Sequence, residues 1–198
     1  MGEEKKPKAV KLFAGVLYNN EIIRDKAFNV LESKFSKIDY ASKPILFFYT
    51  DYYRKEMGEK IFRQYISFSH LIKPYELGKI KHITDEIEKK FSTDKRRNIN
   101  IDAGYISLHN LILATTKDYS HRIMISKRIY AEVTLIYNNK TFNPLPWTYP
   151  DYKDPENIKD FIKIREILQS QIKWSLFPGL YTLDCNIYIY YNIRERRV

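Results

Sequence analysis

Ala9-Val-Lys-Leu-Phe-Ala-Gly-Val-Leu-Tyr18 is the stretch of the chain that decides the fold. It is apolar at almost every position, and a strand of that kind is typical of the centre of a sheet that is covered on both faces. Asn19-Asn20 end the run and can cap a helix. From Glu21 to Phe35 the apolar residues recur at helical spacing. The chain is therefore predicted to open with a central strand followed by a helix.

The next segments extend this pattern. Residues 45–49 and 61–70 are predicted strands, because the first is apolar throughout and the second alternates between apolar and polar side chains. A helix is predicted from 74 to 92 and a short strand from 98 to 102. The order strand, helix, strand, strand, helix, strand matches a split βαβ unit. We predict an α+β fold with a ferredoxin-like core, a mainly antiparallel sheet and helices on one face.

The remaining chain adds an extra hairpin and a C-terminal helix. Gly104 is predicted to break the strand before it, and Ser107 to cap a short helix. Residues 121–126 and 129–137 are predicted to pair as a hairpin. Asp154-Pro155 is a typical helix start, with a capping acid followed by proline. No linker divides the chain, so we predict one domain over residues 1–172 and a tail, 173–198, that is either an added strand or poorly ordered.

Composition limits the location and the chemistry. The sequence has 198 residues and one cysteine, Cys185, which excludes an intrachain disulfide and a thiolate metal cage. The N-terminus lacks the apolar run and cleavage site of a signal peptide, and no stretch approaches the ~20 apolar residues that cross a bilayer. A cytoplasmic protein without a membrane partner is therefore predicted. The sequence identifies no cofactor, metal or oligomeric state.

The net charge of +10 favours an anionic partner such as RNA, DNA or a nucleotide. The six glycines are too scattered to form a phosphate loop or a dinucleotide fingerprint. A zinc-protease helix motif and a nucleophile elbow are also missing from the sequence. The net charge therefore favours an anionic ligand, and no local motif indicates which anionic ligand it is.

The polar segment 98–132 contains the main candidate site. Asn100 and Asp102 share one face at the end of a strand, and Glu132 lies in a later strand. If these strands pair, five side chains converge: Asp102, Lys117, His121, Arg122 and Glu132. Lys117 and Arg122 suit a phosphate or carboxylate, His121 suits proton transfer, and Asp102 with Glu132 could orient them or hold a divalent cation. Alternatively, Glu132 pairs with Arg122 across a hairpin and His121 caps a strand.

Two tyrosine-rich loops form a second candidate. Thr50-Asp51-Tyr52-Tyr53 and Thr148-Tyr149-Pro150-Asp151-Tyr152 each place an acid among tyrosines just outside a strand-like or rigid segment. Tyrosine rings offer flat faces for stacking bases or sugars. Asp51, Tyr149 and Asp151 are therefore candidate ligand contacts. The alternative is chance, because the chain has 17 tyrosines.

Several motifs, in order along residues 7–170, resemble a bacterial family of unknown function, the domain of unknown function 4416 family. The motifs are Lys11-Leu-Phe-Ala-Gly15, Phe48-Tyr-Thr-Asp-Tyr-Tyr53, Asn100-Ile-Asp-Ala-Gly-Tyr105, Leu113-Ala-Thr-Thr-Lys117, His121-Arg-Ile123, Tyr130-Ala-Glu-Val-Thr-Leu-Ile-Tyr137 and Pro146-Trp-Thr-Tyr-Pro-Asp-Tyr152. The resemblance does not extend into the tail after Ile172. Members are often labelled GTP-binding proteins, so the resemblance implies a nucleotide ligand, although a phosphate loop and a guanine-specificity motif are missing here.

Three functions remain open. The first is a cytoplasmic binder of a phosphorylated ligand, either a nucleotide or RNA. The second is an enzyme acting on a phosphorylated small molecule, with His121 as general acid or base and Asp102 and Glu132 beside it. The third is a protein-interaction module that uses the tyrosine-rich loops.

Overall fold

The structure, a computed structural model, describes residues 2–94 and 96–176. Its elements are β1 (Val10–Tyr18), α1 (Glu21–Lys34), β2 (Ile38–Ala41), β3 (Ile45–Leu46), α2 (Arg54–Met57), β4 (Phe62–Ile72), α3 (Leu77–Lys90), β5 (Ile99–Ile106), β6 (Asn110–Thr115), β7 (Ile123–Ser126), β8 (Ile129–Asn138), β9 (Thr141–Pro144), α4 (Pro150–Lys153) and α5 (Pro155–Leu176). The predicted tail, 173–198, lies outside the described residues apart from the last residues of α5, so its structure stays a prediction.

By its contacts the chain divides into two compact units, one ending at Leu168 and the other beginning at Gln169. The first unit holds the whole sheet. The described part of the second unit is the C-terminal end of α5. Among the residues described, no helix is both long and apolar enough to span a membrane.

The sheet has the predicted split βαβ core. Its strands run in the order β2-β4-β1-β5-β6-β8-β7, with β3 paired to β4 and β9 paired to β8. Every neighbouring pair is antiparallel. β4 therefore lies between β1 and β2, which is the arrangement that defines the split unit. The α+β class, the antiparallel sheet and the β7–β8 hairpin are confirmed.

The buried strand β1 has helices on both of its faces. Leu12 and Ala14 belong to a cluster with Leu31 of α1 and other residues of α1 and α3. Phe13 points to the opposite face and meets Phe161 of α5 with ring centroids 6.0 Å apart. The helices of the split unit thus lie together on one face, as predicted, while α5 covers the other. All nine residues of β1 are buried, which explains its almost continuous apolar sequence.

The predicted strand 45–49 is shorter than expected, since β3 ends at Leu46, and the predictions at Gly104 and Ser107 are wrong. Gly104 does not end β5, which continues to Ile106. A Cβ at this position would collide with the carbonyl oxygen of Ile112 and would lie 2.6 Å from the ring of Phe13, so glycine allows close packing rather than a turn. Ser107 caps a hairpin turn, not a helix: its hydroxyl accepts hydrogen bonds from the backbone N–H groups of His109 and Asn110, both at 3.0 Å.

β5 and β6 are paired over only part of their length. The pairing extends from Gly104–Ile106 to Leu111–Leu113. Beyond it, β5 stays on β1 back to Ile99, and β6 stays on β8 as far as Thr115. The two strands therefore separate inside an otherwise continuous sheet.

Candidate functional site

A cavity of about 570 Å³ lies where β5 and β6 separate. Its lining comes from the ends of these two strands, from α3 on one face of the sheet, and from the segments 47–53 and 149–152. Cavities of this size are typical of sites for small molecules. The partial pairing of β5 with β6 is thus what creates the candidate site.

Most of the residues predicted as site residues line this cavity: Asn100, Asp102, Lys117, Glu132, Tyr149 and Asp151. His121, Arg122 and Asp51 are not part of its lining. The side chain of Asp51 is 80% exposed and pairs with Arg54 at 3.1 Å. The remaining members of the two candidate constellations therefore line one cavity, because β5, β6 and β8 bring the first constellation beside the loop 149–152 of the second.

His121 and Arg122 lie behind Glu132. Arg122 Nε donates to Glu132 Oε2 at 2.7 Å, and the same oxygen is 3.1 Å from His121 Nε2. Arg122 Nη2 also donates to the hydroxyl of Tyr149 at 2.7 Å, and the His121 ring stacks on Trp147 with centroids 5.0 Å apart. The side chain of Glu132 is 1% exposed, so its charge is neutralised largely by this hairpin pair.

Arg63 also lines the cavity, and no motif in the sequence pointed to it. Its side chain is 3% exposed, and its two terminal nitrogens lie 2.8 Å from Asp102 and 2.8 Å from Asp151. Burial alone would lower the pKa of Arg63, but the two aspartates outweigh it and raise the pKa well above the ordinary value. Burial likewise favours a higher pKa for Asp102, yet Arg63 and Lys81 lower it. Asp151 differs, because burial is the larger effect there and its pKa is raised.

Gly15 gives Arg63 its place on the sheet. A Cβ on Gly15 would collide with the hydroxyl of Tyr152 and would lie 2.9 Å from Arg63 Nη1. Tyr152 is 1% exposed, and its hydroxyl has no hydrogen-bond partner among the described residues. The missing side chain at Gly15 therefore lets an arginine and a tyrosine lie directly on the central strand.

Three charged residues of α3 form the wall on the other side of the gap. Lys81, Asp85 and Glu88 follow a spacing that places them on one side of the helix. Lys81 Nζ donates to the carbonyl oxygen of Ile101 at 3.0 Å, and Glu88 Oε1 accepts from the Ile101 N–H at 2.7 Å. These side chains thus satisfy the backbone of β5 at a position where β6 no longer pairs with it.

The same wall contains a carboxyl group that titrates near neutral pH. Burial raises the pKa of Glu88 to about 7, against the partial opposition of Lys81 and of the Ile101 N–H. Burial tends to lower the pKa of Lys81, but Glu88 and Asp85 outweigh it and raise the pKa. Shifted groups in a concave pocket are typical of functional sites. Neither residue was singled out from the sequence, where both belong to an ordinary amphipathic helix.

Aromatic side chains make up much of the cavity lining: Phe47, Tyr49, Tyr52, Tyr53, Tyr149 and Tyr152. Phe47 is buried, whereas Tyr52 and Tyr149 are exposed and form the aromatic mouth of the cavity. The hydroxyl of Tyr49 donates to Asp154 Oδ2 at 2.5 Å, which ties the first tyrosine-rich loop to the start of α5. Burial raises the pKa of the Tyr53 hydroxyl above its ordinary value.

Lys117 differs from the other cations of the lining. Arg63 and Lys81 pair with carboxylates as described, and Arg97 Nε lies 2.5 Å from Glu56 Oε2. Lys117 is exposed and makes no ion pair with any residue that the structure describes; its Nζ lies 4.4 Å from the centroid of the Tyr52 ring. Thr115 and Thr116 precede it in the lining.

Within residues 2–94 and 96–176, no group of three or more histidine, cysteine, aspartate or glutamate side chains is arranged to hold a metal ion. Asp102 and Glu132, the two acids considered for a divalent cation, are instead paired with Arg63 and Arg122. The chemistry of this site is that of hydrogen bonding, charge pairing and aromatic contact.

Comparison with known proteins gives one finding. Neither the curated proteins nor the solved structures contain a match to this chain. One family model, described as a domain of unknown function (DUF4416), matches residues 8–168. That match spans most of the chain and contains the whole cavity lining. The chain therefore belongs to the DUF4416 family.

Proposed function

We propose that the protein binds a small phosphorylated ligand, of the size of a nucleoside monophosphate, in the cavity between β5 and β6. The observation that carries this proposal is Lys117, because it is the lining cation whose charge is not neutralised by a carboxylate among the described residues. An ammonium group that no carboxylate neutralises suits a phosphate, which offers several strong acceptor oxygens, and Thr115 and Thr116 line the same cavity. The proposal includes the cytoplasmic location that the sequence predicts.

The other charges of the cavity argue for a single phosphate group. The lining carboxyl groups are Asp85, Glu88, Asp102, Glu132 and Asp151. They outnumber the buried cations of the lining, Arg63 and Lys81, so the cavity lacks the cluster of free cations that a triphosphate or an RNA backbone requires. Among the described lining residues, Lys117 is the cation that is not paired with a carboxylate, which favours a ligand with a single phosphate group. The net charge of +10 therefore does not reflect a concentration of free positive charge in the cavity.

The aromatic mouth supports a flat ring on the ligand. Tyr52 and Tyr149 are 54% and 39% exposed although they line the cavity, so part of each ring surface is open to contact, while Lys117 Nζ lies over one face of the Tyr52 ring. Stacking of a base on an aromatic side chain contributes about 1–3 kcal/mol. These tyrosines also belonged to the predicted protein-interaction surface, and their place around a concave cavity favours a small molecule instead.

No observation favours the enzyme in which His121 is the general acid or base. Its ring contacts Glu132 and Trp147 and is not part of the cavity lining. A general acid or base must come within hydrogen-bond reach of the reacting group. An enzyme at this site would depend on another titrating residue.

Thermal denaturation with inorganic phosphate, adenosine 5′-monophosphate, adenosine 5′-triphosphate and a short oligoribonucleotide tests the proposal. Ligands that bind only the folded state raise the melting temperature. We expect the monophosphate to give the largest shift. A greater shift with the triphosphate or the oligonucleotide contradicts the single-phosphate argument, and no shift with any of the four contradicts the proposal as a whole.

Lys117→Gln provides the specific test. A charge-assisted hydrogen bond contributes about 1.5–3 kcal/mol, so the variant should bind the monophosphate at least about tenfold more weakly. Lys127→Gln, which removes an exposed lysine in the turn between β7 and β8, is the matched control and should bind as the wild type does. Equal affinity of the two variants in isothermal titration calorimetry would remove the observation on which the proposal depends.

A further inference from the structure

Glu88 is the titrating group of the cavity that phosphate binding by Lys117 leaves unused. Its side chain is 12% exposed and lines the cavity from α3. Oε1 is held by the Ile101 N–H at 2.7 Å and lies 3.7 Å from Lys81 Nζ. The carboxyl group is therefore fixed in position on the cavity wall, where it can meet a ligand that fills the cavity.

The charged groups facing Glu88 come from three parts of the chain. Lys81 and Asp85 belong to α3 itself, Asp102 belongs to β5, and Arg97 lies in the turn before β5. Lys81 also pairs with Asp85 at 2.8 Å, and Arg97 pairs with Glu56. Each nearby cation is thus shared with another carboxylate. The neutralisation of Glu88 is therefore incomplete, and a proton is the remaining way to neutralise it.

We propose that ligand binding in this cavity is coupled to the uptake of a proton by Glu88, whose carboxyl group then contacts the ligand as a hydrogen-bond donor. This inference rests on the proposed function, because the phosphorylated ligand supplies the driving force. A bound phosphate brings negative charge into the cavity and excludes water from it. Both effects favour the neutral form of a buried carboxyl group.

The coupling has a definite direction. The pKa of Glu88 is about 7 in the free protein, so the group is about half protonated at neutral pH. Binding raises that pKa further and draws a proton from the solvent. The ligand consequently binds more tightly at pH 6 than at pH 8. The part of this difference in affinity that is lost in Glu88→Gln is due to Glu88.

Calorimetric titration of adenosine 5′-monophosphate at pH 7, in buffers with different enthalpies of ionisation, measures the protons taken up per ligand bound. The wild type should take up more protons than Glu88→Gln, by at most about 0.5 proton, because Glu88 is already about half protonated at pH 7. Glu86→Gln is the matched control, because Glu86 is an exposed residue of the same helix. It should take up as many protons as the wild type. The ionisation of the probe itself contributes equally to all three proteins.

The outcomes separate the two proposals. Binding with equal proton uptake in the wild type and Glu88→Gln overturns the coupling and leaves the proposed function standing. An absence of binding by the wild type overturns both. If Glu88→Gln does not fold, the glutamate carboxyl carbons of the wild-type protein are followed by NMR across pH 5–9. A glutamate that titrates near neutrality, with a midpoint that rises on addition of the monophosphate, supports the coupling; no such resonance, or an unmoved midpoint, overturns it.

Discussion

Glu88→Gln should change how the stability of the free protein depends on pH. Replacing the carboxyl group with an amide keeps the size of the side chain and the acceptor oxygen for the Ile101 N–H, which the wild-type Oε1 binds at 2.7 Å. It removes the proton that the folded protein binds more tightly than the unfolded chain does. The difference between the two proteins across pH therefore isolates the titration of one group.

The sign and the size follow from the shifted pKa. The pKa of Glu88 rises from an ordinary 4.5 to about 7 on folding. Between these values the folded state binds more protons than the unfolded state, so stability falls as pH rises. At about 1.4 kcal/mol per pKa unit, the wild type should lose about 2–3 kcal/mol relative to Glu88→Gln between pH 5 and pH 8. Below pH 4.5 Glu88 is protonated in both states and contributes no further change.

Urea denaturation at pH 5, 6, 7 and 8 provides the free energy of unfolding for both proteins. The raised pKa of Asp151 acts in both and cancels in the comparison, and the raised pKa of Lys81 lies above this pH range. Glu86→Gln should follow the wild type at every pH. Parallel curves for the wild type and Glu88→Gln would refute the claim that this carboxyl group is buried and poorly neutralised.

Three further substitutions test the packing of Arg63 and Tyr152 on Gly15. Gly15→Ala should lower the melting temperature and cost about 1–3 kcal/mol, since the new methyl group would collide with the hydroxyl of Tyr152. Tyr152→Phe should alter stability by less than about 1 kcal/mol, because the lost hydroxyl has no hydrogen-bond partner among the residues that the structure describes. It should also reduce the cost of Gly15→Ala in the double variant. Arg63→Met should cost about 3–5 kcal/mol at pH 7, measured by urea denaturation, because two carboxylates lose their partner. That cost should fall at pH 4, where protonation of those carboxylates removes the unpaired charge. A cost independent of pH would contradict the claim that Arg63 stabilises the protein by neutralising Asp102 and Asp151.

The core could be predicted because its signals are local. The apolar run of β1 marks a strand covered on both faces, and the alternation along β4 marks its partner, so the split βαβ order follows from the chain itself. The predictions at Gly104 and Ser107 failed because both relied on local preference: glycine commonly ends an element and serine commonly starts a helix. The close approach of β6, which the local sequence does not reveal, places Gly104 within a strand.

The site was predictable only where strand alternation determines it. Asn100 and Asp102 share a face because they lie two residues apart in β5, and Glu132 joins that face because Leu113 of β6 pairs with it. Arg63 and Glu88 carry no such signal. The first looks like the polar side of a strand and the second like the polar side of a helix, and their burial depends on contacts with residues distant in the sequence.

The partial pairing of β5 with β6 accounts both for the gap between these strands and for the charged side chains around it. Opening a sheet leaves backbone groups unpaired, and Lys81 and Glu88 satisfy those of Ile101. These buried charges therefore have a structural role whether or not a ligand binds. Lys117 neutralises no carboxylate of the described chain, and its Nζ contacts the ring of Tyr52, so a ligand phosphate is the partner that we propose for it. Glu88 holds β5 through one oxygen, which Gln can replace, so proton uptake on binding distinguishes a ligand contact from a structural one.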